Sequence, residues 1–230
     1  MRRKVVFLAY FLCLVFMMFP QEAEFFETAI NENNSITIVG FKGSKRSIQI
    51  PGSINSIPVT AIGEFAFDNI TDIIIPEGIV SIGNGAFSNN QLRSLVIPET
   101  VLSIGHVAFQ GNRLEEVILP RHITSIGQLT FADNRLKNIT IPDNTAFIMD
   151  GAFADNQLTE IIIPDSVTEI GNGAFENNPL VKITIGAGVE LYGGIYPFEE
   201  PFCVFYINSG RKKGTYIKNN GAWEFSDAEN

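Results

Sequence analysis

The sequence predicts a repeat solenoid, a stack of short coils with a parallel β-sheet on one face, loops and short turns on the other, and a cap at each end. Three observations lead to this prediction. A short β-branched run ends in Pro at a constant interval, a Phe follows each Pro after 11 residues, and the chain is 45% hydrophobic but only 18% charged. Self-similarity at a fixed period of this size is the signature of a repeat architecture.

The Pro and Phe residues define six repeat units between about Val59 and Ile185. The period is 22 residues, except that the first Phe lies 20 residues before the second, because the first unit lacks two turn residues. The Pro series is Pro76, Pro98, Pro120, Pro142 and Pro164, and Gly186 continues it. The Phe series is Phe67, Phe87, Phe109, Phe131, Phe153 and Phe175.

Each unit contains the alternating pattern of a short strand. In LRSLVIP (92–98), Leu95 and Ile97 point to one side, whereas Ser94 and Val96 point to the other. Pro98 then removes a backbone donor and ends the strand. The pattern predicts one buried and one solvent-facing side for every strand.

Stacking is required because one such unit cannot bury its apolar side alone. Stacked units form a parallel sheet with strands about 4.8 Å apart. An Asn in each unit is then expected to lie in register with its neighbours and to satisfy buried backbone groups, which is a structural role. These residues are Asn69, Asn90, Asn112, Asn134, Asn156 and Asn178.

The repeat unit also carries the pattern IP-x-x-V-x-x-I-G-x-x-A-F, as in IPETVLSIGHVAFQGNRLEEVILP (97–120) and IPDSVTEIGNGAFENNPLVKITI (163–185). This pattern resembles the BspA-like (Treponema-type) leucine-rich repeats of bacterial surface proteins, over roughly residues 35–225. The resemblance implies a leucine-rich-repeat solenoid. It also implies an exported protein that adheres to host proteins or to other bacteria.

The first residues differ from the repeat region. Arg2, Arg3 and Lys4 precede an unbroken apolar run of 15 residues (5–19), which is typical of a secretory signal peptide over 1–23 and short for a membrane span. An uncleaved anchor is the alternative. We expect a linker at 24–34, an N-terminal cap at 35–58 and the six repeats at 59–186.

The last segment, 187–230, does not follow the 22-residue period and is rich in aromatic residues. Asn220-Gly221 is a hairpin signal within it. We interpret the segment as a C-terminal cap made of strands joined by Gly turns, with an aromatic ligand site as the alternative. Its aromatic residues include Tyr192, Tyr196, Phe198, Phe202, Phe205, Tyr206, Tyr216 and Trp223.

Charge argues against several classes of partner. The net charge is -9, and without residues 1–23 the chain has 13 basic and 24 acidic residues, a net charge of -11. Such a balance disfavours nucleic acid or anionic lipid as the partner.

Catalytic and metal-binding patterns are missing from the sequence. His106 and His122 occupy different positions of neighbouring units, and Cys203 is the single cysteine after residue 23. Asp133 and Asp155 share a turn position that we interpret as a left-handed slot and not as a calcium site. The sequence therefore predicts no enzyme, no cofactor and no small-molecule substrate.

The solvent-facing side of the strands is the candidate protein-binding site. Its β-branched column suits any exposed strand, so strand propensity alone is one explanation. The other is a surface that binds host-matrix or bacterial surface proteins, as an adhesin secreted or held at the cell surface. A self-associating envelope protein without a foreign ligand is the alternative function. The two columns are Ile74, Val96, Ile118, Thr140, Ile162 and Thr184, and Asp72, Ser94, Glu116, Asn138, Glu160 and Lys182.

Overall fold

The computed structural model describes residues 23–191 and 197–226, which form a parallel β-solenoid of about seven turns. The solenoid predicted from the period is therefore confirmed, and so is the leucine-rich-repeat class that the resemblance implies. The expected signal peptide lies outside the described residues except for Ala23, and so do Tyr192 and Tyr196.

A first set of short parallel strands, which we call the first ladder, follows the LRSLVIP pattern. Leu95 and Ile97 are buried at 3% and 2% exposure, as the alternation predicts. Residues 138–140 are not in a strand, although the Arg135 amide still donates to the Leu114 carbonyl of the previous coil at 2.9 Å. The strands are β3 (Ser47–Gln49), β6 (Asp72–Ile74), β8 (Ser94–Val96), β10 (Glu116–Ile118), β13 (Glu160–Ile162) and β15 (Lys182–Ile185).

The opposite wall holds a second ladder where the sequence predicted only loops and short turns. Most of its strands have two residues, one pointing into the core, as Ile82 and Ile170 do. The repeated S-I-G segment therefore forms real strand pairs. They are β5 (Ile57–Ile62), β7 (Ser81–Ile82), β9 (Ser103–Ile104), β11 (Ser125–Ile126), β12 (Phe147–Ile148), β14 (Glu169–Ile170) and β16 (Glu190–Leu191), and β4 (Ser53–Ile54) pairs with β5.

A column of stacked Phe rings runs through the core between the ladders. From Phe67 to Phe175, successive ring centroids are 5.0–5.6 Å apart and the rings are tilted by at most 14°. Phe41 extends the column at one end at 6.3 Å, and Phe198 extends it at the other at 4.9 Å. The stacking shows that these Phe residues build the core of the scaffold.

The Asn residues form a second internal column. In five of them, Oδ1 accepts a bond of 2.8–3.1 Å from the backbone amide 20 residues earlier. Asn69 does not belong to this column, contrary to the sequence prediction. Because its unit lacks two residues, Asn69 takes the left-handed turn position of Asn89, with φ 58° and an exposed side chain that accepts a bond from Arg46. The column consists of Asn90, Asn112, Asn134, Asn156 and Asn178.

The N-terminal end differs from the expected linker at 24–34. A 3₁₀ turn (Ala23–Phe25) leads into β1 (Phe26–Ile30), which pairs antiparallel with β2 (Ile36–Phe41). Phe26 is 6% exposed and its ring lies 5.1 Å from that of Phe41. Burial of this ring over the end of the Phe column explains why the segment is ordered as a strand.

The C-terminal end is a helix followed by a hairpin. Residues 200–208 form the helix α1 (Glu200–Asn208), where the sequence suggested strands. The hairpin of β17 (Gly214–Asn219) and β18 (Ala222–Ser226) turns at Asn220-Gly221, both with positive φ, as its sequence predicts. β17 pairs with β15, so the hairpin continues the first ladder.

Candidate protein-binding face

The outward side of the first ladder, which we call the sheet face, consists of the two columns predicted from the sequence. Strand alternation places these side chains away from the core. In the β-branched column, Ile162 is 67% exposed, Val96 43% and Ile118 37%. Thr140 is also exposed, whereas Ile74 and Thr184 are half-buried. One apolar or hydroxyl side chain per coil therefore faces solvent.

The second column of the sheet face is polar, and three of its six residues are acidic. Asp72, Glu116, Asn138, Glu160 and Lys182 are exposed. Ser94 is half-buried. An ion pair joins Lys182 Nζ to Glu160 Oε2 at 3.2 Å, with both side chains about half exposed, so it adds little stability. The charges are thus available to a partner.

Strand pairing brings together some of these residues but not all. Val96 lies beside Ile118 in the pair β8–β10, and Ile162 lies beside Thr184 in the pair β13–β15. Strand β6 is not in a hydrogen-bonded ladder with β8, and the coil around Thr140 has no strand. The sheet face is therefore a row of paired segments and not one uninterrupted sheet.

The sheet face is longer than the sequence predicted. At one end Gln49 lies beside Ile74, and at the other Ile217 lies beside Lys182. The Thr184 and Thr215 hydroxyls are hydrogen-bonded at 3.0 Å. The sequence IQIP at 48–51 indicates the first extension, strand β3. The second extension, strand β17, depends on a long-range pairing with β15 that the repeat period does not encode.

The groups with clearly shifted pKa values lie mostly in the cap. Burial raises the pKa of the Cys203 thiol to about 12, and burial also raises the pKa of Tyr206 to about 12. In the turn after a first-ladder strand, a hydrogen bond from the Arg121 backbone lowers the pKa of Glu99. None of these three groups is on the sheet face.

Two kinds of feature are absent from the part of the chain that the structure describes, a cluster of metal-ligating side chains and a long apolar helix. Over 23–191 and 197–226, no three His, Cys, Asp or Glu side chains are grouped to hold a metal ion. Among the same residues, no helix is long and apolar enough to cross a bilayer.

Comparison with protein families identifies the repeat. The family model of the BspA type leucine rich repeat region matches six copies over residues 60–182. This match covers more than half of the chain, and the chain therefore belongs to this family of bacterial surface proteins. The six copies agree with the six units read from the Pro and Phe series.

A solved structure shows the same fold. The chain is similar to a leucine rich cell surface protein from Faecalibacterium prausnitzii A2-165, with 24% identity and a TM-score of 0.57, over 90% of this chain and 60% of that one. It thus spans less than two thirds of that relative. A Treponema pallidum leucine rich repeat protein aligns over 89% of this chain and 99% of that one, with 16% identity and a TM-score of 0.37. No curated protein matches the chain.

Proposed function

We propose that the protein is an exported binding module that holds a protein partner on the sheet face, as an adhesin does. The partner would be a host-matrix protein or a surface protein of another bacterium. Binding uses no cofactor, metal ion or covalent step. The family of bacterial surface proteins supports export and surface location.

The observation that carries this proposal is the row of exposed apolar side chains on the first ladder. Ile162, Val96 and Ile118 are 67%, 43% and 37% exposed on a regular surface. An apolar row bordered by polar residues has the composition of the core and rim of a protein interface. Desolvation of the row supplies affinity.

The charged residues of the polar column support selectivity. Asp72 and Glu116 border the apolar row at one end and Glu160 and Lys182 border it at the other. Charge at the rim of an interface selects partners and steers their approach more than it adds affinity. The favoured partner surface therefore has exposed Lys or Arg around an apolar centre.

The test compares two substitutions to Glu at Ile positions of equal exposure. Ile162→Glu puts a charge in the apolar row, so binding to immobilised host-matrix extract or to bacterial cells should fall at least tenfold. Ile30→Glu is the matched control, because Ile30 is 69% exposed and lies on β1, outside the sheet face. It should leave binding unchanged.

Thermal unfolding of both variants separates binding from folding. Exposed substitutions of this kind change stability by about 0.5 kcal/mol or less. Equal binding of Ile162→Glu and the wild type would show that the apolar row is not the contact surface. Loss of binding in Ile30→Glu would also contradict the proposal, because it would assign the contact to β1, outside the sheet face.

A further inference from the structure

The second ladder carries a strip without charged residues, which we call the uncharged strip. The chain as a whole has a net charge of -9, and the sheet face includes Asp72, Glu116, Glu160 and Lys182. The strip takes two successive positions from each of five coils and bears only apolar and hydroxyl side chains. They are Thr60, Ala61, Val80, Ser81, Leu102, Ser103, Thr124, Ser125, Ala146 and Phe147.

The large apolar side chains of the strip are exposed. Leu102 is 59% exposed, Phe147 44% and Val80 41%, and none of the ten residues is buried. The Thr60 hydroxyl is bonded to Ser35 within the chain at 2.8 Å. These apolar side chains add little to the core of the described chain, and a row of exposed apolar and hydroxyl residues is the type of surface that packs against another sheet.

We propose that the occupant of the uncharged strip is a second copy of this chain, packed face to face as a weak dimer. Two acidic chains repel each other wherever carboxylates meet. The five coils of the strip offer a surface where two copies can meet without opposing charges.

The spacing of the coils also favours a second copy. Strand pairing joins β5, β7 and β9, and separately β11 and β12, with successive positions about 4.8 Å apart in each group. Side chains match along each group only if the facing surface has the same rise. A second copy of the chain has the same rise, because it is built from the same coils. In a twofold dimer both copies use the same patch, so the central coil of one copy faces the central coil of the other. Leu102, in the third of the five coils, then contacts Leu102 of the second copy.

The size of the strip predicts a weak interface. The strip is narrow, two residues wide and about 20 Å long over its five coils, so it buries less area than a standard protein interface. Acidic residues of the adjoining turns, such as Glu64, Glu77 and Asp150, come near the other copy. Their repulsion is screened by salt, so dimerisation should strengthen as ionic strength rises.

A dimer of this kind leaves both sheet faces free, because the strip lies on the opposite ladder. Two outward binding faces on one particle would increase avidity for a surface that displays many partners. The dimer does not depend on the function proposed above, since it needs only the second ladder.

Sedimentation of the protein purified after export, from about 10 µM to 1 mM, tests the dimer. The wild type should change from monomer to dimer over this range, and more completely at high salt. Leu102→Glu and Leu102→Lys should each weaken dimerisation at least tenfold. An equimolar mixture of the two variants should regain the dimer, because opposite charges then meet at the twofold axis.

Ile162→Glu is the control and should dimerise as the wild type does. If either Leu102 variant fails to fold by circular dichroism, Ser103→Glu and Ser103→Lys take its place. A wild type that remains monomeric at 1 mM overturns the proposal, as does dimerisation that survives both charged variants. Dimerisation lost in Ile162→Glu and kept in the Leu102 variants would assign self-association to the sheet face and also overturns it.

Discussion

A hydrogen bond of 2.9 Å joins Asn134 and Leu114 in neighbouring coils, from the Leu114 backbone amide to Asn134 Oδ1. The Asn134 amide nitrogen lies 3.0 Å from the Phe109 carbonyl and 3.2 Å from that of Phe131. Because Asn134 is 8% exposed, its amide takes the place of water for these backbone groups.

Asn134→Ala should destabilise the protein by about 3 kcal/mol, since it leaves buried backbone donors and acceptors without partners. Urea unfolding measures the change. Asn138→Ala is the matched control, because Asn138 is exposed and lies outside the Asn column, and it should shift stability by about 0.5 kcal/mol or less. Equal losses in the two variants would contradict the structural role of the Asn column.

Phe131→Ala should cost about 3–5 kcal/mol, because it removes a ring from the middle of the Phe column. Its ring is 0% exposed and lies 5.5 Å from that of Phe109. Phe147→Ala is the control with the same chemical change at a 44% exposed position, and it should cost much less. Thermal unfolding of both variants measures the two losses of stability. Equal losses would contradict the structural role of the Phe column.

Gly105→Ala should destabilise the protein by about 1–3 kcal/mol, because the coils stack too closely there for a side chain. A Cβ on Gly105 would lie 2.6 Å from the backbone nitrogen of Asn84, which cannot move without shifting the coil. Gly52→Ala is the control, since nothing lies within 4 Å of its Cβ position, and it should be neutral or slightly stabilising. Unfolding midpoints that fell equally in both would contradict the close approach.

Alkaline pH should loosen the C-terminal cap. Burial raises the pKa of Tyr206 to about 12, from an ordinary value of 10. Between these values the unfolded chain loses the phenol proton while the folded chain keeps it, so the contribution of Tyr206 to stability is complete below pH 10 and is lost as pH rises to 12. Urea unfolding at pH 8, 10 and 11 should show falling stability.

Tyr206→Phe provides the control for this pH dependence. The variant loses the bond from the hydroxyl to the Gly186 carbonyl, 2.7 Å long, so it should be less stable at pH 8. Its stability should fall less between pH 10 and 11 than that of the wild type. Parallel pH profiles in the two proteins would show that Tyr206 is not the group responsible.

The period of the sequence was sufficient to predict the repeat architecture. Leu95, Ile97 and Val96 point as the alternation in LRSLVIP requires, because the core of each coil is built by the same short pattern. The left-handed turns at Asp133 and Asp155 also follow from comparing the units, with φ of 56° and 55°.

Other features depend on contacts between distant segments. Pairing of Ile217 with Lys182 extends the sheet face, and it follows from the docking of a hairpin that is not part of the repeat. Thr130 is fully buried, and its hydroxyl donates to the Gly127 carbonyl at 2.9 Å. A pattern of residue types does not specify this hydrogen bond. Exposure of Leu102 on the second ladder likewise required the three-dimensional path of the chain.

The most direct measurement of the central claim is carboxyl labelling of the protein alone and with its partner bound, read by mass spectrometry. Glu116 and Glu160 border the apolar row, whereas Asp150 is exposed beside the second ladder, on the opposite wall of the solenoid. The binding proposal predicts that the partner protects Glu116 and Glu160 and leaves Asp150 labelled as before. Protection of Asp150 with unchanged labelling of Glu116 and Glu160 would contradict it.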